Sequence, residues 1–153
     1  MHIRKARADE LPIISSITCA TINHVYPRYY PSGAVDFFLA HHSGEHIAAD
    51  IASGNVYLAL DECDTPVGTV TISGNEICRL FVLPAHQKRG IGRMLMEHAE
   101  KTISMRYDCV VLDASLPAKA IYLKMGYLPT EYHCIATGNG DFLCYDVMEK
   151  QLI

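Results

Sequence analysis

One stretch constrains this chain more than any other: Leu80-Phe-Val-Leu-Pro-Ala-His-Gln-Lys-Arg-Gly-Ile-Gly-Arg93. A strand pattern runs into a loop that carries Lys88, Arg89, Gly90 and Gly92, and a helix pattern starts there. Glycines let the backbone come close to a ligand with no side chain in the way. Successive N–H groups at a helix start, with the helix dipole behind them, form an anion site. Lys88, Arg89 and Arg93 add positive charge. The spacing lacks the third glycine of the dinucleotide fingerprint and does not fit the nucleotide-triphosphate loop. A glycine-rich turn that merely starts a helix would contain the same residues, so the rest of the chain must decide.

Around this stretch the patterns alternate between sheet and helix. Residues 2–6 read as a first strand. A helix begins at Asp9, turns Leu11, Ile14, Ile17 and Ile22 inward, and ends near Tyr26-Pro27. Tyr26–Gly33 is a loop by its Pro and Gly content. A second helix is expected from about Ala34 to His46, with Val35, Phe38 and Leu39 inward. Strands follow at Asn55–Leu60, Val67–Ser73 and Glu76–Leu83, separated by turns at 61–66 and at Gly74-Asn75. A helix from about Gly90 to Ser104 puts Ile91, Leu95, His98, Ala99 and Thr102 on one face. Cys109–Ala114 is a buried strand by its run Val110-Val-Leu112. A short helix from about Pro117 to Met125 closes at Gly126. Strands near Tyr127–Ala136 and Phe142–Glu149 end the pattern. The order β-α-α-β-β-β-α-β-α-β-β is that of an α/β (α+β) protein with a mixed central sheet and flanking helices.

Composition narrows the function. The chain has 153 residues, enough for one core, with 13 Lys plus Arg against 17 Asp plus Glu and a net charge of -4. A mildly acidic chain lacks the basic face that nucleic-acid binding needs. The six cysteines form no C-x-x-C pair, which points away from zinc and towards reduced, mostly core residues. Arg4, Lys5 and Arg7 are followed by Asp9 and Glu10, not by an apolar signal segment. The longest uncharged run, Leu11 to Pro27, is too short and polar to span a bilayer. The expectation is a cytoplasmic protein with no membrane or nucleic-acid partner. His41, His42 and His46 cluster, and His42 and His46 would share a helix face, but no third ligand is indicated and no metal is expected.

Val82-x-Pro84-x-x-Gln87-x-x-Gly90-x-Gly92 resembles the coenzyme-A-binding motif of the GCN5-related N-acetyltransferase (GNAT) family. Ser115-Leu-Pro-Ala118-Lys-Ala-Ile-Tyr122-Leu-Lys124-Met-Gly126-Tyr127 is similar to that family's N-x-x-A-x-x-x-Y-x-K-x-G-F pattern. The two motifs stand in the family's order and at its distance, across residues 76–127. The resemblance implies a single GNAT domain over residues 1–153 and acetyl-CoA as co-substrate. It implies an N-acetyltransferase that moves the acetyl group to a primary amine by direct attack in a ternary complex. The acceptor is a small-molecule amine or a peptide or protein amine, and family relatives often pair, so a homodimer is expected. A GNAT-fold module that binds acyl-CoA as a sensor, without turnover, is the other reading.

The resemblance also implies roles. Leu80, Phe81 and Val82 form a bulged strand whose backbone pairs with the coenzyme's amide arm. Gln87, Lys88, Arg89, Gly90, Ile91, Gly92 and Arg93 hold the phosphates. Ser115 stands where the family often has Asn and contacts the coenzyme arm through a shorter side chain. Tyr122 occupies the position that protonates or hydrogen-bonds the departing thiolate; a core tyrosine on an amphipathic helix would occupy it equally. Glu76 opens the strand leading to the coenzyme, where many relatives carry a carboxylate base; a solvated strand-end Glu is the plain alternative. Asp113, His133 and His86 are further candidates for the base. Tyr26, Tyr29 and Tyr30 lie in the loop where GNAT proteins receive the acceptor, and either line a pocket or only pack the loop.

Overall fold

Alternation along Val56–Leu60 sorts this protein into two cores. Val56, Leu58 and Leu60 face one side of the sheet, and Ala59 faces the other. The computed structural model describes residues 1–152. It runs β1 (His2–Lys5), α1 (Leu11–Val25), α2 (Ser32–His41), α3 (Gly44–Ala52), β2 (Val56–Leu60), β3 (Pro66–Ser73), β4 (Glu76–Val82), α4 (Ile91–Ser104), β5 (Cys109–Ala114), α5 (Leu116–Lys124), β6 (Leu128–Ala136) and β7 (Phe142–Gln151). The sheet order is β1-β2-β3-β4-β5-β7-β6. Every neighbour is antiparallel except β4 and β5, which run parallel.

On one face α4 buries Ile91, Leu95, Met96, Ala99 and Ile103 against Val67, Val82, Val110 and Leu112. A fully buried side chain such as Leu95 is worth about 2–5 kcal/mol on truncation to Ala. On the other face α1 and α3 bury Ile14, Ile17, Ile22, Ile47 and Ile51 against β2, Phe81 and Leu143. The sheet is thus covered on both sides over its centre, while β6 forms an edge strand and is largely exposed.

Five readings of the sequence need correction. The helix expected over 34–46 is two helices. Ser43 takes an extended conformation (φ -66°, ψ 163°), which stops α2 and starts α3. The Ser43-Gly44 pair is the breaker signal. The break turns His42 into the core, while His46 Nδ1 bonds back to the His41 carbonyl at 2.8 Å, so the two histidines share no helix face. On α4, Met96 and Ile103 are buried where His98 and Thr102 were expected. The cysteines are not core residues: Cys19, Cys63 and Cys134 are exposed, and Cys78, Cys109 and Cys144 are half-buried. The bulge in β4 sits at Cys78, between the pairs Thr71↔Arg79 and Ile72↔Ile77, and Leu80–Val82 pairs regularly with β3.

Before α1, Glu10 ties the helix to the first strand. It accepts two bonds from the Arg4 guanidinium at 2.6 and 2.9 Å and one from the Arg7 backbone N–H at 2.8 Å. The bonded Arg4 pulls the Glu10 carboxyl from its ordinary 4.5 down to about 2. A depressed folded-state pKa contributes stability above the unfolded value, and that contribution is lost as pH falls towards the folded value. The window for Glu10 is therefore from 4.5 down to about 2. Glu10→Gln is expected to flatten the loss of stability across that window in denaturant titrations. An unchanged acid slope would remove Glu10 from the account.

Candidate active site

The parallel strands β4 and β5 stay together for two registered pairs only, Glu76↔Val111 and Ile77↔Leu112. Beyond them β4 follows β3 as far as Gly68↔Val82, and β5 follows β7 as far as Ala114↔Asp146. The extra residue at Cys78 adds local twist at this point. The strands fork, and the β4 edge from Cys78 to Val82 faces an open wedge. Buried backbone groups need partners. Val82 finds its own: its carbonyl accepts from Thr21 Oγ1 at 3.1 Å and from Gln87 Nε2 at 3.0 Å.

Two cavities fill the wedge. The larger, about 790 Å³, runs from Val82 past Gln87, Lys88, Gly90, Gly92 and Arg93 and between α4 and α5. Gly90 precedes α4 with φ 82°, a left-handed conformation that side chains resist. A Cβ at Gly90 would meet nothing within 4 Å, so the free space there belongs to the groove. Helix α4 offers its unpaired first amides to this groove. Arg89 is exposed and outside the lining, and the Ile91 side chain is buried in the core, leaving its backbone N–H as the available group.

The smaller cavity, about 250 Å³, lies on the opposite side of the fork. Phe37, Phe38, Leu143 and Tyr145 give it apolar and aromatic walls, and Cys78, Arg79, His41, His42 and Asp113 give it polar ones. Arg79 is held from behind. Its Nε donates to His42 Nδ1 at 3.1 Å, and its guanidinium pairs with Asp50. Burial lowers the His42 pKa to about 3, so the ring is neutral and accepts. Burial pushes the Cys78 thiol up to about 11.

Tyr26, Leu80, Phe81, Ser115, Ala118 and Tyr122 line both cavities, so the two meet at these side chains. Helix α5, which brings Ala118 and Tyr122, buries no residue completely. Three contacts hold it. Leu116 N–H donates to Tyr30 Oη at 2.7 Å, Lys119 pairs with the buried Asp146 at 2.8 Å, and Tyr122 packs beside Tyr127 with ring centres 5.8 Å apart. Gly126, at φ 91°, ends the element as its position suggested. Burial raises the Tyr122 pKa well above the ordinary phenol value, so the hydroxyl keeps its proton.

Several expected site residues lie elsewhere. Tyr29 is exposed and lines neither cavity. Tyr30 is buried with its hydroxyl committed: it accepts from Leu116 N–H and donates to the Cys144 carbonyl at 3.2 Å. Of the three loop tyrosines only Tyr26 reaches the cavities, with its hydroxyl 3.5 Å from Ser115 Oγ. Glu76 is exposed at the start of β4, before the fork, and lines neither cavity. His133 pairs with Glu131 at 2.9 Å, and His86 sits in the turn after β4, outside both linings. Sequence reading missed Arg79, whose signal was a lone cation inside the apolar run of β4. It also missed Phe37 and Phe38, which α2 turns towards the smaller cavity. Among the described residues no group of three or more His, Cys, Asp or Glu could hold a metal, and no helix is long and apolar enough to cross a membrane.

The forked parallel pair, the glycine-and-basic helix start on one side and the second cavity that meets it at the fork form one continuous site. The chain belongs to the acetyltransferase (GNAT) domain family, whose pattern matches residues 25–142. It is 27% identical over 135 residues to the peptidyl-lysine N-acetyltransferase YjaB of Escherichia coli K12, covering 85% of this chain and 84% of that protein. Its fold is similar to that of a GCN5-related N-acetyltransferase from Rhodopseudomonas palustris, with TM-score 0.88 and 23% identity over 98% of this chain and 94% of that one. It is also similar to the PaiA N-acetyltransferase of Thermoplasma acidophilum, solved with coenzyme A, with TM-score 0.72 and 21% identity over 98% of each chain. The co-substrate of the family is acetyl-CoA.

Two substitutions at Gly90 separate its conformation from its emptiness. Gly90→Val and Gly90→Asn should both weaken coenzyme A binding by about tenfold or more in calorimetry. Only Val, which resists positive φ, should also lower Tm appreciably. Unchanged affinity in both variants would move the phosphates away from this loop.

Proposed function

We propose that the protein transfers the acetyl group of acetyl-CoA to a primary amine, the side chain of a peptidyl lysine, by direct attack in a ternary complex. The observation that carries this reading is the meeting of the two cavities at Leu80, Phe81, Ser115, Ala118 and Tyr122. A thioester reaching that junction from the larger cavity would face an amine in the smaller one. No covalent relay is needed, and Cys78, the thiol in the smaller cavity, holds its proton too tightly to act as a nucleophile near neutral pH. The aromatic and aliphatic walls suit the methylene stem of a lysine. The name of the Escherichia coli relative, a peptidyl-lysine N-acetyltransferase, supports the same acceptor.

In this reading the coenzyme arm lies along the unpaired β4 edge, whose outward backbone groups bond to its amides. A backbone N–H of that edge polarises the thioester carbonyl, a donor worth about 3 kcal/mol in the transition state. Lys88, Arg93 and the first amides of α4 bind the phosphates, and Ser115 supports the arm. The amine nitrogen attacks the carbonyl carbon, the C–S bond breaks, and Tyr122 gives its proton to the departing thiolate. Thiol release from acetyl-CoA with a lysine peptide, and with free amines beside it, tests the whole reading. Coenzyme binding with no thiol release from any amine would favour a binding module instead.

Tyr122→Phe removes the hydroxyl and keeps the ring packed beside Tyr127. Coenzyme affinity and Tm should survive. Turnover should fall by roughly 10²–10⁴-fold if proton transfer limits it. A Phe variant with full kcat, under conditions where chemistry is rate-limiting, would reduce Tyr122 to a packing residue.

A further inference from the structure

We propose that Asp113 is the catalytic base, the group that takes the proton from the acceptor amine. The inference rests on the acetyl transfer proposed above and names a group that it leaves open. A lysine arrives as an ammonium, with a pKa of about 10.4, and must lose a proton before it attacks.

Asp113 is the one carboxylate in the lining of the smaller cavity. It stands on β5 directly after Leu112, the last residue of β5 paired to β4, and so at the mouth of the fork. Alternation along β5 sends Val110, Leu112 and Ala114 into the core under α4 and leaves Asp113 on the other face, with α2. Ser115, two residues further, lines both cavities, so Asp113 lies next to the junction on the acceptor side.

The other polar groups of the cavity are poor bases. Arg79 is a cation held by His42 and Asp50. The His42 Nδ1 lone pair is engaged by Arg79. Cys78, Tyr26 and Tyr122 all have pKa values raised by burial and keep their protons. His41 lines the same cavity but is exposed, with its pKa lowered by burial and by Arg79. Glu76, the carboxylate that family resemblance suggested, lies outside the lining.

The surroundings of Asp113 suit the task. Burial raises its pKa, and Glu131 on β6 raises it further, while His133 on β6 and His41 on α2 oppose them. Glu76 on β4 and Tyr145 on β7 also feel its charge. A carboxylate whose pKa is raised is a stronger base than one in water. In the reaction Asp113 takes one proton from the ammonium and releases it to water. The neutral nitrogen forms the C–N bond as the C–S bond breaks. Tyr122 protonates the thiolate and regains a proton from the nitrogen of the new amide, so one proton is released per turnover.

The test measures thiol release from acetyl-CoA with an end-blocked peptide containing one lysine, across pH from about 6 to 10. Wild type, Asp113→Asn, Glu76→Gln and His41→Asn are compared. Asp113→Asn should lose kcat on the order of 10²–10³-fold at neutral pH. Its kcat/KM should then climb with pH towards the pKa of free lysine, where the substrate arrives neutral. Coenzyme affinity by calorimetry and Tm should match wild type, as an isosteric change at an exposed residue predicts. An Asp113→Asn enzyme with the wild-type pH profile overturns the proposal, as does the same loss and the same pH recovery in Glu76→Gln or His41→Asn instead. If the wild type itself binds coenzyme A and acetylates no amine, the transfer reading falls, and that failure is distinct from the first.

Discussion

The parting of β4 from β5 is the constraint on which the rest of this structure depends. Two parallel strands normally satisfy each other's backbone groups along their length. Here they do so for Glu76↔Val111 and Ile77↔Leu112 and then separate. The cost is an edge in the middle of a sheet, and the protein covers only the end of it, with Thr21 and Gln87 bonded to the Val82 carbonyl. What is left uncovered has the hydrogen-bonding pattern of a missing strand. A ligand with alternating amide groups is complementary to it, which is why the fork and the glycine loop belong to one site rather than two.

Keeping the fork open needs support from both sides. On the side of the smaller cavity, Arg79 stands between β4 and the α2–α3 break, with His42 and Asp50 behind it. A buried guanidinium without those partners would cost several kcal/mol. On the far side, α5 is held by polar contacts more than by burial: Tyr30 bonds to Leu116, and Lys119 to Asp146. The junction side chains therefore sit on an element whose position is set by a few directional bonds.

Much of this was legible in the sequence. The period-two and helical patterns place the strands within one or two residues, Gly90 marks the start of α4 and Gly126 the end of α5. These signals are local: a left-handed glycine or an apolar alternation has the same meaning wherever the chain goes. The failures were of another kind. Whether Tyr26, Tyr29 or Tyr30 reaches a cavity depends on which way a short turn carries each ring, and three adjacent aromatics look alike in sequence. Glu76 and Asp113 are 37 positions apart and are brought near each other only by the parallel β4–β5 pairing. Which of them faces the cavity depends on where the strands part, and no local pattern encodes that. The cysteines lie on α1, in the turn after β2 and on four strands, none of them fully buried, and a small apolar residue type does not say which way its position faces.

Tyr26, Leu80, Phe81, Ser115, Ala118 and Tyr122 belong to both cavities. Under the proposed transfer, each ligand would be part of the wall against which the other packs, and the two binding equilibria would not be independent. By linkage, whatever factor a bound coenzyme adds to acceptor affinity, a bound acceptor must add to coenzyme affinity. A sequence change confined to the smaller cavity, at Phe37 or Phe38, can keep its distance from this coupling. A change at any of the six shared positions would alter both affinities at once, so under that proposal new acceptors are reached most directly by drift in α2 and in the β6–β7 hairpin, with the junction left as it is.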